Sequence, residues 1–168
     1  HHGSAVLSKH SCEKWENVNV ARFSWCSRSF LHGVIRRSEH GPPLHLICVH
    51  LEFVGFERNR QLKILSRYIN EVIPHNEAVI VAGDFNDWSG RTGLRFEMQS
   101  GMREAFRQSL GEHAKTFPSN RPFLGLDRIY YRGVELIKCN CLSGHPWQKM
   151  SEHLPPASYT HLRAHEIS

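Results

Sequence analysis

No apolar run in the 168-residue sequence reaches the roughly 20 residues that a membrane-crossing helix needs, so the sequence offers no helical span. Nor does a charged-then-apolar leader open it; the chain starts His1-His2-Gly3 without Met, and it is expected to begin inside a domain. There is no internal repeat and no low-complexity segment, which excludes solenoid architectures and disordered tracts. Five cysteines, an odd number without a regular framework, exclude a disulfide scaffold and fit a reducing, cytoplasmic compartment. Cys139 and Cys141 stand at strand spacing on one face, but no second pair completes a zinc site.

What is present is a chain of single-domain length with 40% apolar residues and a net charge of +5. That charge favours anionic partners and leaves nucleic acid, phosphorylated metabolites and phospholipid head groups open. The densest basic cluster, Arg36-Arg37, is too short for a nucleic-acid arm and reads as a solvated strand end.

Strand-type runs occupy Ala5 to Leu7, Val18 to Phe23, Gly33 to Ile35 and the nearly continuous apolar Leu44 to Val49, the last expected to be buried on both faces. From Glu57 to Val72 the apolar residues recur at helical period up to Pro74, and Ala78 to Ala82 forms a second buried strand ended by Gly83. Strand, helix, strand in this order implies a layered α/β fold. A helix is expected around Met102 to Leu110. Two further strands, Leu126 to Tyr131 and Val134 to Cys141, would form a hairpin turning at Arg132-Gly133.

Chemistry-bearing residues cluster where these strands end. Gly83-Asp84-Phe85-Asn86-Asp87-Trp88 follows a buried strand directly, and an Asp and an Asn two residues apart there can aim a carboxylate and an amide at one point. His50 closes the Leu44 to Val49 strand, Asp127 opens a later one, and Glu152-His153 lies in the loop after the last. A Gly/Asp/Asn turn by itself only ends a strand. The four segments together carry more.

Val49-His50-Leu51, Gly83-Asp84-Phe85-Asn86, Leu126-Asp127-Arg128-Ile129 and Ser151-Glu152-His153 resemble, in order and spacing, the signature of the endonuclease/exonuclease/phosphatase superfamily. The resemblance covers about residues 1 to 155 and includes Thr116-Phe117-Pro118 and the opening His1-His2-Gly3. It implies a four-layered α/β sandwich of the DNase I-like kind, incomplete at its N-terminus, and a metal-dependent phosphoesterase acting on phosphodiesters or phosphomonoesters. His50 and His153 would stabilise charge on the phosphate oxygens. Asp127 would fix the tautomer of His153, Asp84 would orient or deprotonate the attacking water or assist the leaving group, and Asn86 would hold phosphate or water. Glu152 would serve a divalent cation, Mg²⁺ with Mn²⁺ as an alternative. The main metal ligand, a Glu, would lie upstream of His1. The implied partner is a phosphate-ester substrate, nucleic acid included, and the implied state a monomer.

Three departures accompany the resemblance. The upstream segment is absent from the sequence, Glu152 replaces the Asp of the final motif, and His32 stands where relatives commonly carry Arg. The domain is expected to span residues 1–156, with residues 157–168 an atypical tail resembling translated adaptor DNA. In that tail His161 and His165 stand at i, i+4 spacing without an acid partner. The competing reading is a catalytically inactive relative that binds phosphate or nucleic acid.

Overall fold

The computed structural model describes residues 3–21, 28–36 and 41–162; the expectations that touch His1, His2, Phe23, Arg37 and His165 lie outside them. In chain order the elements are β1 (Cys12–Asn19), β2 (Ser29–Ile35), β3 (Leu44–His50), α1 (Gly55–Val72), β4 (Ala78–Asp84), α2 (Arg91–Ser100), β5 (Arg103–Glu104), α3 (Ala105–Leu110), β6 (Asp127–Arg132), β7 (Val134–Cys141), α4 (Trp147–Met150) and β8 (Pro156–Leu162). A six-stranded sheet runs in the order β1-β2-β3-β4-β6-β5, and β7 pairs with β8 in a second sheet. Among the described strands only β3 and β4 pair in parallel, with helix α1 as the crossover that such a pair needs.

Alternation along the strands builds a core on each face of the large sheet. In β4, Val79 and Val81 join Ile47 and Val49 of β3 beneath Leu62, Leu65 and Ile69 of α1. Ala78 and Ile80 of β4, with Ile129 and Tyr131 of β6, pack instead against Phe106 of α3 and Val134 and Leu136 of β7. The described residues therefore supply a helix layer, a six-stranded sheet and a two-stranded part of a facing sheet. No described helix is long and apolar enough to cross a membrane.

Several local expectations change. Ala5 to Leu7 is not a strand, and Leu7 is fully exposed; the first strand lies at Cys12–Asn19, where alternation is weak because most of its residues face solvent. β3 is buried on one face only: His45, Ile47 and Val49 are covered by helix, while Leu46 and Cys48 stay half-buried on the other side. The expected hairpin at Arg132-Gly133 does not form, since β6 pairs with β4 and β5 and the chain crosses at this turn into the second sheet. Cys139 and Cys141 pack towards the second core. Residues 156–162, assigned largely to the atypical tail, form β8, which pairs with β7, and His161 lies on that strand and not on a helix.

A polar chain crosses the helix-side core. His45 Nε2 meets Glu77 Oε2 at 2.6 Å, His32 Nε2 meets His45 Nδ1 at 2.8 Å, and His32 Nδ1 meets the Tyr68 hydroxyl at 2.8 Å. Tyr68 in turn donates to Glu16 at 3.0 Å. Burial, followed by the neighbouring His45, lowers the pKa of His32 to about 4, so it is neutral at pH 7. The histidine at position 32 is thus a structural member of a buried network.

Candidate active site

Register places three of the expected residues side by side. His50 opposes Asp84 across β3 and β4, and Asp84 opposes Asp127 across β4 and β6, so the ends of three neighbouring strands present one row of side chains. The strands approach this closely because residue 83 is glycine: a Cβ there would lie 2.0 Å from the Val49 carbonyl oxygen. Asn86 then adopts φ 48°, a left-handed conformation that Asn tolerates, and its backbone N–H donates to Asp84 Oδ1 at 2.8 Å. Its side-chain amide donates to the Leu51 carbonyl at 2.9 Å, which ties the Asp84 loop to the end of β3.

His153 arrives from the opposite side. Leu154, almost fully buried, donates its N–H to the Thr116 carbonyl at 2.8 Å, and Ser119 donates to the Glu152 carbonyl at 2.7 Å, so the loop at 151–154 is laced to the loop at 116–119. That places His153 Nδ1 at 2.7 Å from Asp127 Oδ2, a hydrogen bond that leaves Nε2 free. On the facing side His50 Nε2 and Asp84 Oδ2 stand 3.7 Å apart, an ion-pair distance too long for a direct hydrogen bond.

The electrostatics differ across the row. Burial raises the Asp84 carboxyl above the ordinary carboxylate range, and Asp127 pushes it in the same direction against the opposing bond from Asn86. Burial lowers His50, and the Arg28 guanidinium adds to this, so His50 is neutral at pH 7. Arg28 immediately precedes β2 at the same end of the sheet and donates through Nε to Glu52 Oε1 at 2.9 Å. Sequence reading missed this residue, because an arginine before a strand belongs to no local motif; only the strand order brings it beside His50.

Glu152 stands apart. Its side chain is exposed and lines a solvent-open hollow with Phe117, Asn120 and Lys149, and no contact joins it to His50, Asp84, Asp127 or His153. Among the described residues, no three His, Cys, Asp or Glu side chains converge to hold an ion. Two neighbouring carboxylates with unbalanced charge are a favourable start for a hard cation, but the described residues do not complete a metal site.

Behind the row lies a second acid that the sequence reading passed over. Asp87, almost fully buried, accepts from the backbone N–H groups of Thr92 at 3.1 Å and Gly93 at 3.3 Å, and pairs with Arg128 at 3.3 Å. Burial alone would raise its pKa, but Thr92, Arg128, Ser89 and Gly93 outweigh it and hold the carboxyl below the ordinary range. Residues 91–100 form helix α2, for which the sequence carried no helical expectation, and its N-terminus caps this carboxylate.

The sequence model described as "Endonuclease/Exonuclease/phosphatase family" matches residues 1–153, a span that contains the whole row and the His153 loop. The chain belongs to the endonuclease/exonuclease/phosphatase family. It is 37% identical over 162 residues to the uncharacterised protein YbhP of Escherichia coli K12, covering 96% of this chain and 64% of that protein. The chain thus spans somewhat under two thirds of the length of this curated relative. Among solved structures of the family's fold, the mannosyl-6-phosphatase of Bacteroides thetaiotaomicron superposes with a TM-score of 0.75 at 14% identity, over 90% of this chain and 67% of that one. TDP2 of D. rerio, complexed with a single-strand DNA product, superposes at 0.69 and 21% identity, over 89% and 67%. These likenesses show the DNase I-like α/β fold. His50, Asp84, Asn86, Asp127 and His153 come together in it, and Glu152 does not join them.

Proposed function

We propose that the row His50, Asp84, Asp127 and His153 hydrolyses a phosphate ester. The observation that carries this reading is the pairing of two unlike acids with two histidines along one row of strand ends. Asp127 engages His153 Nδ1 and so orients Nε2 outwards. Asp84, whose carboxyl holds its proton more tightly than an ordinary one, suits a general base.

In the reaction, a water beside Asp84 gives its proton to that carboxylate as its oxygen bonds to phosphorus, and the bond from phosphorus to the leaving oxygen breaks, the leaving oxygen departing with the bonding pair and taking a proton from solvent. His153, held at Nδ1 by Asp127, donates through a protonated Nε2 to a phosphate oxygen as charge grows there. His50, neutral, occupies the flank beside Asp84, and Asn86 offers its side-chain oxygen from a loop held by the Leu51 carbonyl. A divalent cation, Mg²⁺ or Mn²⁺, belongs to this reading as the Lewis acid of the reaction, with Glu152 at its periphery; it needs ligands beyond those the described residues bring together.

Hydrolysis of bis-p-nitrophenyl phosphate by the full-length protein tests the proposal: turnover that needs Mg²⁺ and stops with chelator supports it. The exposed, unengaged Glu152 favours a second reading, an inactive phosphate-binding relative. Saturable phosphate binding without turnover under the same conditions selects that reading.

A further inference from the structure

An aromatic strip runs away from the proposed phosphate centre. The ring of Phe117 lies 4.9 Å from His153, Trp88 lies 6.4 Å from Phe117, and Phe53 lies 5.4 Å from Trp88. The outer two contacts are edge-on, with interplanar angles of 64° and 88°, so each ring is held by its neighbour's edge. Even so, Trp88 is 46% exposed and Phe53 61% exposed. None of the three is needed for either buried core; their order in space, His153, Phe117, Trp88, Phe53, is a path leading outwards from the site.

We propose that this strip is the subsite for the organic part of the substrate, and that it takes a planar nucleobase stacked on Trp88. The inference rests on the phosphate-ester reading above. Three observations select a base over an acyl chain or a sugar. The rings are locked by edge contacts, which suits a flat partner and not a flexible one. The hollow of about 560 Å³ adjoining Phe117 mixes Pro118 and Met150 with Ser119, Asn120, Gln148, Lys149 and Glu152, polar side chains that suit a base edge or a sugar and would be desolvated at cost under lipid. Finally, the strip adjoins the charged row through the contact of Phe117 with His153, so the organic part of an ester whose phosphate sits beside His153 meets aromatic side chains first.

The test is a pair of equilibrium titrations of the full-length protein with AMP and with ribose 5-phosphate, which share a phosphate and a sugar and differ in the base. The expected result is AMP binding tighter by roughly 5- to 150-fold, the range that stacking of one base supplies, with the ratio falling towards one in Trp88→Ala and partly retained in Trp88→Phe. Equal affinity for the two ligands, or a ratio untouched in Trp88→Ala, overturns the base subsite while leaving the phosphate reading in place. Binding of neither ligand, nor of inorganic phosphate, by folded protein overturns both. Association with phosphatidylglycerol vesicles that is lost in Trp88→Ala, together with equal affinity for AMP and ribose 5-phosphate, assigns the strip to a lipid surface and overturns the proposal.

Discussion

Asp84 and Asp87 stand three residues apart in one loop and meet opposite surroundings. Asp84 faces a second carboxylate, keeps one short bond from Asn86, and has its affinity for a proton raised by burial. Asp87 is more deeply buried, yet Arg128, a hydroxyl from Ser89 and the first N–H groups of α2 balance its charge. The difference teaches how the loop divides its work. An uncompensated acid at the surface of the row is available for proton transfer, while a fully compensated one behind it fixes the backbone on which the first is mounted. Each prediction below breaks or sharpens that division.

The largest effect is expected on rate. Asp84→Ala or His153→Ala in the full-length protein is expected to lower turnover by on the order of 10² to 10⁴ while leaving the thermal midpoint nearly unchanged, as removal of acid–base or charge-stabilising groups does. Steady-state kinetics beside a thermal melt measure both, and retention of most activity by His153→Ala at saturating metal would sink the placement of the site.

Asp87→Ala is expected to do the reverse, destabilising the fold by about 3–5 kcal/mol because Arg128 and the α2 N-terminus lose their buried anion. Urea melts report this. A loss under 1 kcal/mol would mean that water reaches Arg128 and that the pair is not structural.

A smaller effect follows from His32. Its folded pKa of about 4 lies below the ordinary 6.5, so between those values the unfolded chain binds more protons than the native one. Stability from this group is therefore complete above pH 6.5 and falls as pH drops towards 4, by about 2–3 kcal/mol at pH 4.5. Urea midpoints measured at pH 7 and 4.5 check the slope, which His32→Gln is expected to flatten.

The smallest expected effect is that of Glu152→Asp. The wild-type side chain is exposed and unengaged, and shortening it moves the charge by about 1 Å, a scale to which enzyme geometry responds. A modest gain in rate or in apparent Mg²⁺ affinity is expected; a reduced rate with intact folding would show Glu152 to be a working group already, and an unchanged rate that it takes no part.

Much of this loop was legible beforehand. His50, Asp84, Asn86 and Asp127 could be placed because they punctuate strands whose apolar runs are unmistakable, and strand ends on one side of a sheet converge. Helix α2 was not legible: of its large apolar residues only Phe96 is buried, while Leu94 and Met98 face solvent, so no helical stripe exists to be read. Its close docking depends on Gly93, where a Cβ would sit 2.5 Å from Arg128 Nη1, a constraint invisible without the partner strand. The switch of the chain between sheets at Gly133 was hidden for a related reason, since two strands joined by a tight turn carry the same local pattern whether or not they pair. The aromatic strip is assembled from three separate segments, and only the fold brings them into line beside His153.

The division between the two acids is tested most directly by following each carboxyl carbon of Asp84 and Asp87 by ¹³C NMR as pH is lowered. The account predicts that Asp84 takes up its proton above the ordinary aspartate range and Asp87 below it. Titration of both within the ordinary range, or in the opposite order, would contradict it.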